Sequence, residues 1–329
     1  RRKLPTWAAV EGIVYPPHLN MEQCSSEQTA RYKARLAGEG DRFVDLTGGF
    51  GVDFYFMSQG FRQRVYVEQS AELCAIAEEN FGKLGHEGAV CCCDTATYLT
   101  EMGRATVIFL DPARRNEHGG RTYGIEDCSP NVLELLPLLM EKADTVILKL
   151  SPMLDWHQAV AMLQHPFAVQ EVHIISTANE CKELLLVLTT ETKEGLRLVC
   201  VNGEQTFEVI FTESPRYSYR EAPAYSWRAS GVLMERTQYL YEPNASIMKA
   251  GCFDELAQRY GVSPLAHDSH LFVSSHESDD FPGRSFLVLA VSSLNKKELS
   301  ACLRDGDMPM KSANIAVRNF PMTADRKST

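Results

Sequence analysis

Four acidic residues, Asp45, Glu68, Asp94 and Asp111, stand at or just after the ends of predicted strands. Asp45 opens a glycine-rich turn, Asp45-Leu-Thr-Gly-Gly-Phe-Gly51, which a ligand can approach closely because glycine has no Cβ. A carboxylate in such a turn suits a ligand with a cationic amine. An acid about 20 residues further on can accept both hydroxyls of a ribose, and Asp94 could take an adenine amino group. Each acid alone is more often a helix cap or a solvated loop residue, but the four together in this order are hard to obtain by chance.

The elements that would bring these acids together alternate between strand and helix. The predicted strands are Phe43–Leu46, Val65–Val67, Ala89–Cys93, Thr106–Leu110 and Thr145–Leu150. Short apolar strands separated by helices such as Ala71–Phe81 and Val132–Lys142 indicate a buried parallel sheet, doubly wound by right-handed crossovers. Ligands bind such sheets at the carboxyl ends of the strands, so we expect the four acids to share one site.

The alternation ends with two strand-like runs, Val169–Ser176 and Glu183–Thr190, joined by six residues. Six residues cannot hold a crossover helix, so these strands are expected to pair antiparallel. Five parallel strands followed by an antiparallel hairpin match the seven-stranded sheet of class I methyltransferases better than the all-parallel dinucleotide fold. A dinucleotide fingerprint would also need a third glycine, where this chain has Phe54.

The successive motifs resemble those of class I S-adenosylmethionine-dependent methyltransferases. The fuller resemblance is to a bacterial group with a C-terminal THUMP-like domain and extends from about Pro16 to Phe320. It runs through Glu22-Gln-Cys-Ser-Ser-Glu-Gln-Thr-Ala-Arg-Tyr-Lys33, Asp111-Pro-Ala-Arg-Arg115, Leu148-Lys-Leu-Ser-Pro-Met-Leu-Asp155, Asn179-Glu-Cys-Lys-Glu183, Tyr241-Glu-Pro-Asn244 and Phe281-Pro-Gly-Arg284. The resemblance implies S-adenosylmethionine as cofactor, held by Asp45, Thr47, Gly49, Gly51, Glu68 and Asp94. It also implies that Asp111 sits where methyl donor and acceptor meet. THUMP domains elsewhere present RNA to a catalytic domain, so the resemblance implies an RNA substrate.

The acceptor atom is open between a base nitrogen and a ribose hydroxyl. Methylation of an exocyclic base nitrogen usually involves an Asn/Asp-Pro-Pro-aromatic motif, but Pro112 is followed here by Ala113 and Arg114. The stacking aromatic residue is missing, although the guanidinium of Arg114 could replace it. Pro112, Arg114 and Arg115 are therefore predicted to contact the substrate, the arginines through its phosphates.

A second pattern favours the ribose hydroxyl. Lys33, Asp111, Lys149 and Glu183 are similar in order and context to the Lys-Asp-Lys-Glu tetrad of RNA ribose 2′-O-methyltransferases. A lysine with a lowered pKa could take the proton of the weakly nucleophilic hydroxyl, and a second lysine nearby would disfavour protonation of the first. The alternative is that Lys33 is a surface lysine and Lys149 a strand-end lysine.

The chain is predicted to hold four segments. They are an N-terminal remnant of a longer region (1–20), the methyltransferase domain (21–192), a small β-rich or ferredoxin-like unit (193–242) and a truncated THUMP-like α+β domain (243–329). Asn202-Gly203 predicts a hairpin in the third segment. The fourth is predicted to contain helix Ala245–Tyr260, strands Ser269–Ser275 and Ser285–Ser292, helix Lys296–Arg304 and strand Ile315–Arg318.

Composition limits the possible partners, the cellular compartment and the metal sites. The net charge is −10, yet both ends of the chain are mildly basic, so a polyanionic partner is not excluded. Ten cysteines, three of them consecutive at Cys91 to Cys93 and none in a C-x-x-C pair, favour a reducing cytoplasm and argue against structural zinc. No apolar run is long enough for a membrane span. The rival functions are a methyltransferase for a small molecule or protein, and a non-catalytic RNA-binding protein that retains the pocket.

Overall fold

The protein is described from a computed structural model that covers residues 3–16, 18–114, 124–163, 168–190, 195–212, 238–266, 269–292 and 295–304. The chain divides into two units. The first comprises Arg1–Thr177, Cys181–Val201 and Glu208–Tyr217, and the second comprises Ala178–Glu180, Asn202–Phe207 and Ser218–Thr329. Among the described residues, no helix is long and apolar enough to cross a membrane.

Nine strands form one large sheet. They are β1 (Gly40–Asp45), β2 (Phe61–Glu68), β3 (Ala89–Cys92), β4 (Ala105–Leu110), β7 (Ala143–Leu150), β8 (Ala168–Thr177), β9 (Glu180–Thr189), β10 (Leu196–Asn202) and β11 (Gln205–Phe211), with β5 (Ala113–Arg114) and β6 (Cys128–Ser129) forming a separate small pair. The order in the sheet is β11-β10-β8-β9-β7-β4-β1-β2-β3. Strands β3, β2, β1, β4 and β7 pair parallel, and β9 pairs antiparallel with β7.

The helices of the first unit are α1 (Pro5–Ala8), α2 (His18–Gln23), α3 (Glu27–Ala37), α4 (Val52–Met57), α5 (Ala71–Lys83), α6 (Thr95–Glu101), α7 (Val132–Lys142) and α8 (Trp156–Leu163). Their starts follow local capping chemistry. Ser26 accepts a hydrogen bond from the Thr29 amide, and Asn131 accepts one from the Leu133 amide. Helix α3 ends at Gly38, whose φ of 68° is in the range that favours glycine.

The predicted fold class is confirmed, with one difference in extent. The five parallel strands and the antiparallel hairpin occur as expected, but the hairpin turn contains only Ala178 and Asn179, both with positive φ. The hairpin of β10 and β11 was expected in a separate unit over 193–242. Its strands instead extend the large sheet beyond β8, which gives nine strands rather than seven. The domain boundaries themselves stay predictions.

Aromatic side chains fill the core beneath the glycine-rich turn. Phe54 is fully buried and lies 5.1 Å from Phe81 and 5.7 Å from Tyr66 between ring centroids. It occupies the space that a third glycine would leave open in a dinucleotide fold. The N-terminal segment joins the same core, because buried Trp7 packs 4.7 Å from the ring of Phe50. Phe50 belongs to the turn, so the segment supports the turn directly.

The second unit holds a four-stranded antiparallel sheet in the order β13-β14-β12-β15. Its strands are β12 (Tyr239–Pro243), β13 (Ser263–Pro264), β14 (Phe272–Ser274) and β15 (Gly283–Leu287), and its helices are Ala245–Ala250, Phe253–Tyr260 and Lys296–Arg304. The single helix predicted over 245–260 is wrong, since Gly251 adopts a φ of 72° and splits it. The predicted strand Ile315–Arg318 lies outside the described residues.

His86 makes the stability of the first unit depend on pH. Its ring is 8% exposed, packs against Phe54, Tyr55 and Phe81, and lies 2.9 Å from the Ser58 hydroxyl through Nε2. Burial lowers the pKa of His86 to about 4, whereas the unfolded value is near 6.5. The unfolded state therefore binds more protons between these values. The stabilisation is complete above pH 6.5 and is lost as the pH falls towards 4.

We expect His86→Gln to remove part of this pH dependence. Between pH 7.5 and pH 5, the wild type should lose about 2 kcal/mol that the variant does not lose. Urea unfolding at both pH values measures the difference. His157→Gln, whose side chain is 36% exposed in the same unit, serves as control. If the free energy of unfolding changed equally with pH in the wild type and in His86→Gln, a neutral buried His86 would be contradicted.

Candidate functional site

A cavity of about 800 Å³ opens at the carboxyl edge of the parallel strands in the first unit. The residues predicted from the sequence that line it are Asp45, Thr47, Gly49, Gly51, Glu68, Asp94, Asp111, Pro112 and Lys149. Other parts of its wall come from the segment after α2 and from the loop after β7. The sheet topology therefore gathers side chains that lie far apart in the sequence, from Gln23 to Lys182.

The glycine-rich turn is fixed by its backbone. The amide of Gly51 donates to the carbonyl of Gly48 at 2.8 Å, and the hydroxyl of Tyr66 donates to the carbonyl of Gly49 at 2.6 Å. A Cβ at Gly48 would lie 2.1 Å from the Tyr66 ring, so only glycine fits there. At Gly49 a Cβ would meet only the Thr47 carbonyl, at 3.9 Å, so that side of the turn faces the cavity.

Asp45 is the most unusual group of the cavity wall. It is 1% exposed, and its Oδ1 accepts a hydrogen bond of 3.0 Å from the Thr47 amide. Its Oδ2 is buried and has no hydrogen-bond partner in the described part of the chain; we call this atom the unpaired oxygen. Burial raises the pKa of Asp45 well above its usual range, and the nearby carboxylates of Asp53 and Asp111 raise it further. Such a group is stabilised by a cation placed against it.

Glu68 and Asp94 both accept hydrogen bonds from backbone amides. Glu68 accepts from the Ser70 amide at 2.9 Å and from the Gly49 amide at 3.0 Å, one bond on each oxygen. Asp94 caps α6 by accepting from the amides that begin it, so the capping alternative holds for this residue. Each carboxylate has about four acceptor positions, so these bonds leave both side chains able to accept from a ligand in the cavity.

Lys33 lies in a closed buried cluster behind the cavity. Its Nζ is 2.7 Å from the Ser25 hydroxyl, 2.7 Å from Glu183 Oε2 and 2.9 Å from Asp53 Oδ1. Lys33 is fully buried, so it is not the surface lysine of the alternative interpretation. Burial alone would raise the pKa of Glu183, but the charges of Lys33 and Lys149 outweigh this and lower it. The ammonium donates two hydrogen bonds, to Ser25 and Glu183, and forms an ion pair with Asp53. Lys33 thus ties three segments together, and its catalytic role stays a prediction.

Lys149 and Asp111 form the second pair of the tetrad. The ammonium of Lys149 donates to Asp111, and the amide of Asp111 donates to the Thr47 hydroxyl at 2.6 Å. Burial lowers the pKa of Lys149, but the carboxylates of Asp111, Glu183 and Asp53 outweigh burial and raise it. The lowered lysine pKa expected from the sequence is therefore wrong for Lys149. The structure brings the tetrad together as two ion pairs, Lys33–Glu183 and Lys149–Asp111.

One solved structure is similar to this chain over nearly its full length. It is the crystal structure of a "putative methyltransferase" from Porphyromonas gingivalis W83, with 30% sequence identity and a TM-score of 0.80. The match covers 99% of this chain and 79% of that chain. This chain belongs to the same methyltransferase family. The first unit therefore has the fold of this methyltransferase family.

Other comparisons of this methyltransferase-family chain are more distant. A "putative RNA methyltransferase", PH1948 from Pyrococcus horikoshii, is 16% identical with a TM-score of 0.40, covering 56% of this chain and 94% of that chain. M. capricolum TrmK, solved with S-adenosyl-homocysteine, is 11% identical with a TM-score of 0.39, covering 50% and 68%. No curated protein matches. A family model for a ferredoxin-like domain matches residues 239–282. This match falls where a THUMP-like domain was expected, and the THUMP-like assignment stays a prediction.

Ser25 and Asp53 are among the cavity residues that were not singled out from the sequence. The Ser25 hydroxyl donates to Asp53 at 2.7 Å. Ser25 lies inside the Glu22–Lys33 motif, and Asp53 comes two residues after Gly51. Their closeness to these motifs is the sequence feature that could have identified them as cavity residues. Of the predicted substrate contacts, Pro112 lines the cavity, Arg114 lies in β5, and Arg115 lies outside the described residues.

Proposed function

We propose that the protein is an S-adenosylmethionine-dependent methyltransferase that acts on RNA. The observation that carries the cofactor is the unpaired oxygen of Asp45 at the glycine-rich turn. The carboxylates of Asp53, Asp111 and Glu68 around it make this part of the wall acidic. A cavity with that charge favours a cationic ligand, and S-adenosylmethionine carries both an ammonium and a sulfonium.

The residues present fit this cofactor along the whole edge of the sheet. Asp45 would hold the ammonium, and the glycine-rich turn lets the backbone approach the ligand without a Cβ. Glu68 would accept the ribose hydroxyls and Asp94 the adenine amino group. When bound, the cofactor supplies an electrophilic methyl group on its sulfonium. The chain's own task is to align an acceptor with that group and to exclude competing contacts.

Asp111 is the group that would face the acceptor. Charged Lys149 fixes the Asp111 side chain, and the Thr47 hydroxyl fixes its backbone. A carboxylate held in this way can accept a hydrogen bond from an acceptor hydroxyl or amine and orient its lone pair. Lys149 would then position Asp111 and stabilise its charge, while Lys33 and Glu183 would brace the cavity from behind. Ribose and base acceptors are both compatible with this role.

RNA as the substrate is supported by the family resemblance in the sequence and by the arginines that follow Pro112. The decisive experiment incubates the protein with methyl-labelled S-adenosylmethionine and total RNA. We expect label in RNA that disappears after nuclease treatment, and nucleoside mass spectrometry then distinguishes ribose from base. Label in protein or small-molecule fractions instead would favour the rival enzyme class. Salt-sensitive RNA binding without cofactor binding by calorimetry would favour a non-catalytic RNA-binding protein.

Asp111→Asn is expected to lower the rate of methyl transfer by roughly 100-fold or more, because it removes the charge that orients the acceptor. Cofactor affinity, measured by calorimetry, should stay within about threefold. Asp144→Asn is a matched control, since Asp144 pairs with Arg104 on the exposed start of β7. Unchanged transfer by folded Asp111→Asn would refute the role given to Asp111.

A further inference from the structure

Three cysteine-containing positions converge on the backbone of Glu68, outside the chemistry proposed above. Cys92 ends β3 directly opposite Glu68 in the parallel register. The Cys93 amide donates to the Glu68 carbonyl at 3.1 Å, and the Cys74 thiol donates to the same carbonyl at 3.2 Å. The register of β2 and β3 therefore places Cys92 beside Glu68, whose carbonyl accepts from the Cys74 thiol. Two thiols thus lie beside the residue that would hold the ribose.

The two thiols differ in access. Cys74 is 6% exposed on α5, whereas Cys92 is exposed to solvent. Burial and the neighbouring Cys92 together raise the pKa of the Cys74 thiol to about 12. Cys92 is therefore the thiol that an external oxidant reaches first, and the neighbouring Cys74 can then resolve the mixed disulfide.

We infer that Cys74 and Cys92 are a redox modification site, which forms a reversible disulfide that weakens cofactor binding. The Cys92 thiolate attacks a low-molecular-weight disulfide and releases one thiol, which leaves a mixed disulfide on Cys92. The Cys74 thiolate then attacks the Cys92 sulfur, forms the protein disulfide and releases the second thiol. Both protein thiols are oxidised, the small disulfide is reduced, and the two protons leave with the released thiols.

The effect on the site follows from one lost hydrogen bond. A Cys74 sulfur in a disulfide has no S–H, so the Glu68 carbonyl keeps only the Cys93 amide of its two donors. Glu68 and Asp94 both flank this point and line the cavity. Loss of this hydrogen bond loosens the backbone that positions Glu68, so we expect a lower affinity for S-adenosylmethionine. This consequence rests on the proposed function, whereas the disulfide itself does not.

The test uses the full chain and oxidised glutathione. After alkylation of the remaining thiols, peptide mapping should find Cys74 joined to Cys92, and dithiothreitol should restore both thiols. S-adenosylmethionine affinity should fall on oxidation. Cys92→Ser should abolish both the disulfide and the change in affinity, while Cys91→Ser, a neighbouring cysteine on the same strand, should leave both intact.

The possible failures are distinguishable. A disulfide between other cysteines, or none at all, would overturn the modification site. A Cys74–Cys92 disulfide with unchanged affinity would overturn its effect on the cofactor. Absence of S-adenosylmethionine binding by the reduced protein, with the disulfide present, would instead refute the proposed function and leave the thiol chemistry standing.

Discussion

Asp45→Asn should abolish cofactor binding and, at the same time, make the ligand-free protein more stable. The carboxylate is buried, and no hydrogen bond from the described residues compensates the desolvation of its unpaired oxygen. Burial raises the pKa of Asp45 in the folded state above its unfolded value. Asp45 therefore destabilises the fold at pH values above the unfolded pKa, and this cost is complete above the folded pKa. Removal of the charge relieves this cost but removes the partner of the cofactor ammonium. A buried charge pair that loses one member costs about 2–5 kcal/mol, on the order of 100-fold in affinity or more.

Two measurements test the predicted loss of cofactor affinity and the predicted gain in stability. Calorimetry with S-adenosylmethionine gives the affinity, and urea unfolding gives the stability of the free protein. The stability gain should be larger at pH 8 than at pH 5, because the folded wild type retains a proton that the unfolded chain releases. Asp144→Asn should change neither quantity. A variant that binds the cofactor normally would contradict the placement of Asp45, and a variant less stable than wild type would contradict an uncompensated charge.

The second large effect is expected at Lys33, in the stability of the first unit. Lys33→Met would leave the carboxylates of Asp53 and Glu183 buried without their cation, and such a loss costs about 3–5 kcal/mol. The cost should be reduced by adding Glu183→Gln, since the double variant has one fewer unpaired charge. Unfolding by urea, analysed as a double-mutant cycle, gives the coupling between the two residues.

Lys83→Met is the matched control for this cycle. Lys83 forms an ion pair with Glu79 one helical turn away, both partly exposed, and its loss should cost less than about 1 kcal/mol. If Lys33→Met were as mild as Lys83→Met, the buried cluster would not stabilise the cavity wall. If Lys33→Met kept its stability but lost methyl transfer alone, Lys33 would act on the substrate rather than on the wall.

The features that the sequence predicts well are those set by short-range pattern. The apolar runs ending at Asp45, Glu68 and Asp111 become parallel strands because each is short, apolar and followed by a helical or turn signal. Their acids then meet at one edge through topology alone. Phe54 in place of a third glycine correctly argued against a dinucleotide fold, since the ring fills the space under the turn.

The features that escaped prediction depend on distant contacts. The spacing of Lys33 and Lys149 suggested a reactive lysine, but the acids beside Lys149 raise its pKa, and only the folded geometry places them there. Likewise, the hairpin of β10 and β11 carries its own turn signal, which does not reveal that it pairs with β8. Helix 245–260 was overextended because glycine is tolerated inside a helical pattern until its φ is known.

The pairing of Ser25 and Lys33 with Glu183 has a consequence for biosynthesis. Ser25 and Glu183 are 158 positions apart, and β9 enters the sheet only after β8 has been made. While the ribosome is still translating the first half of the chain, Lys33 and Asp53 lack the acid that completes their cluster. Nascent chains whose Glu183 has not yet left the ribosome should therefore gain no protection from proteases when the cofactor is added. The buried cluster is then completed in one late step, when β9 leaves the exit tunnel and inserts between β7 and β8.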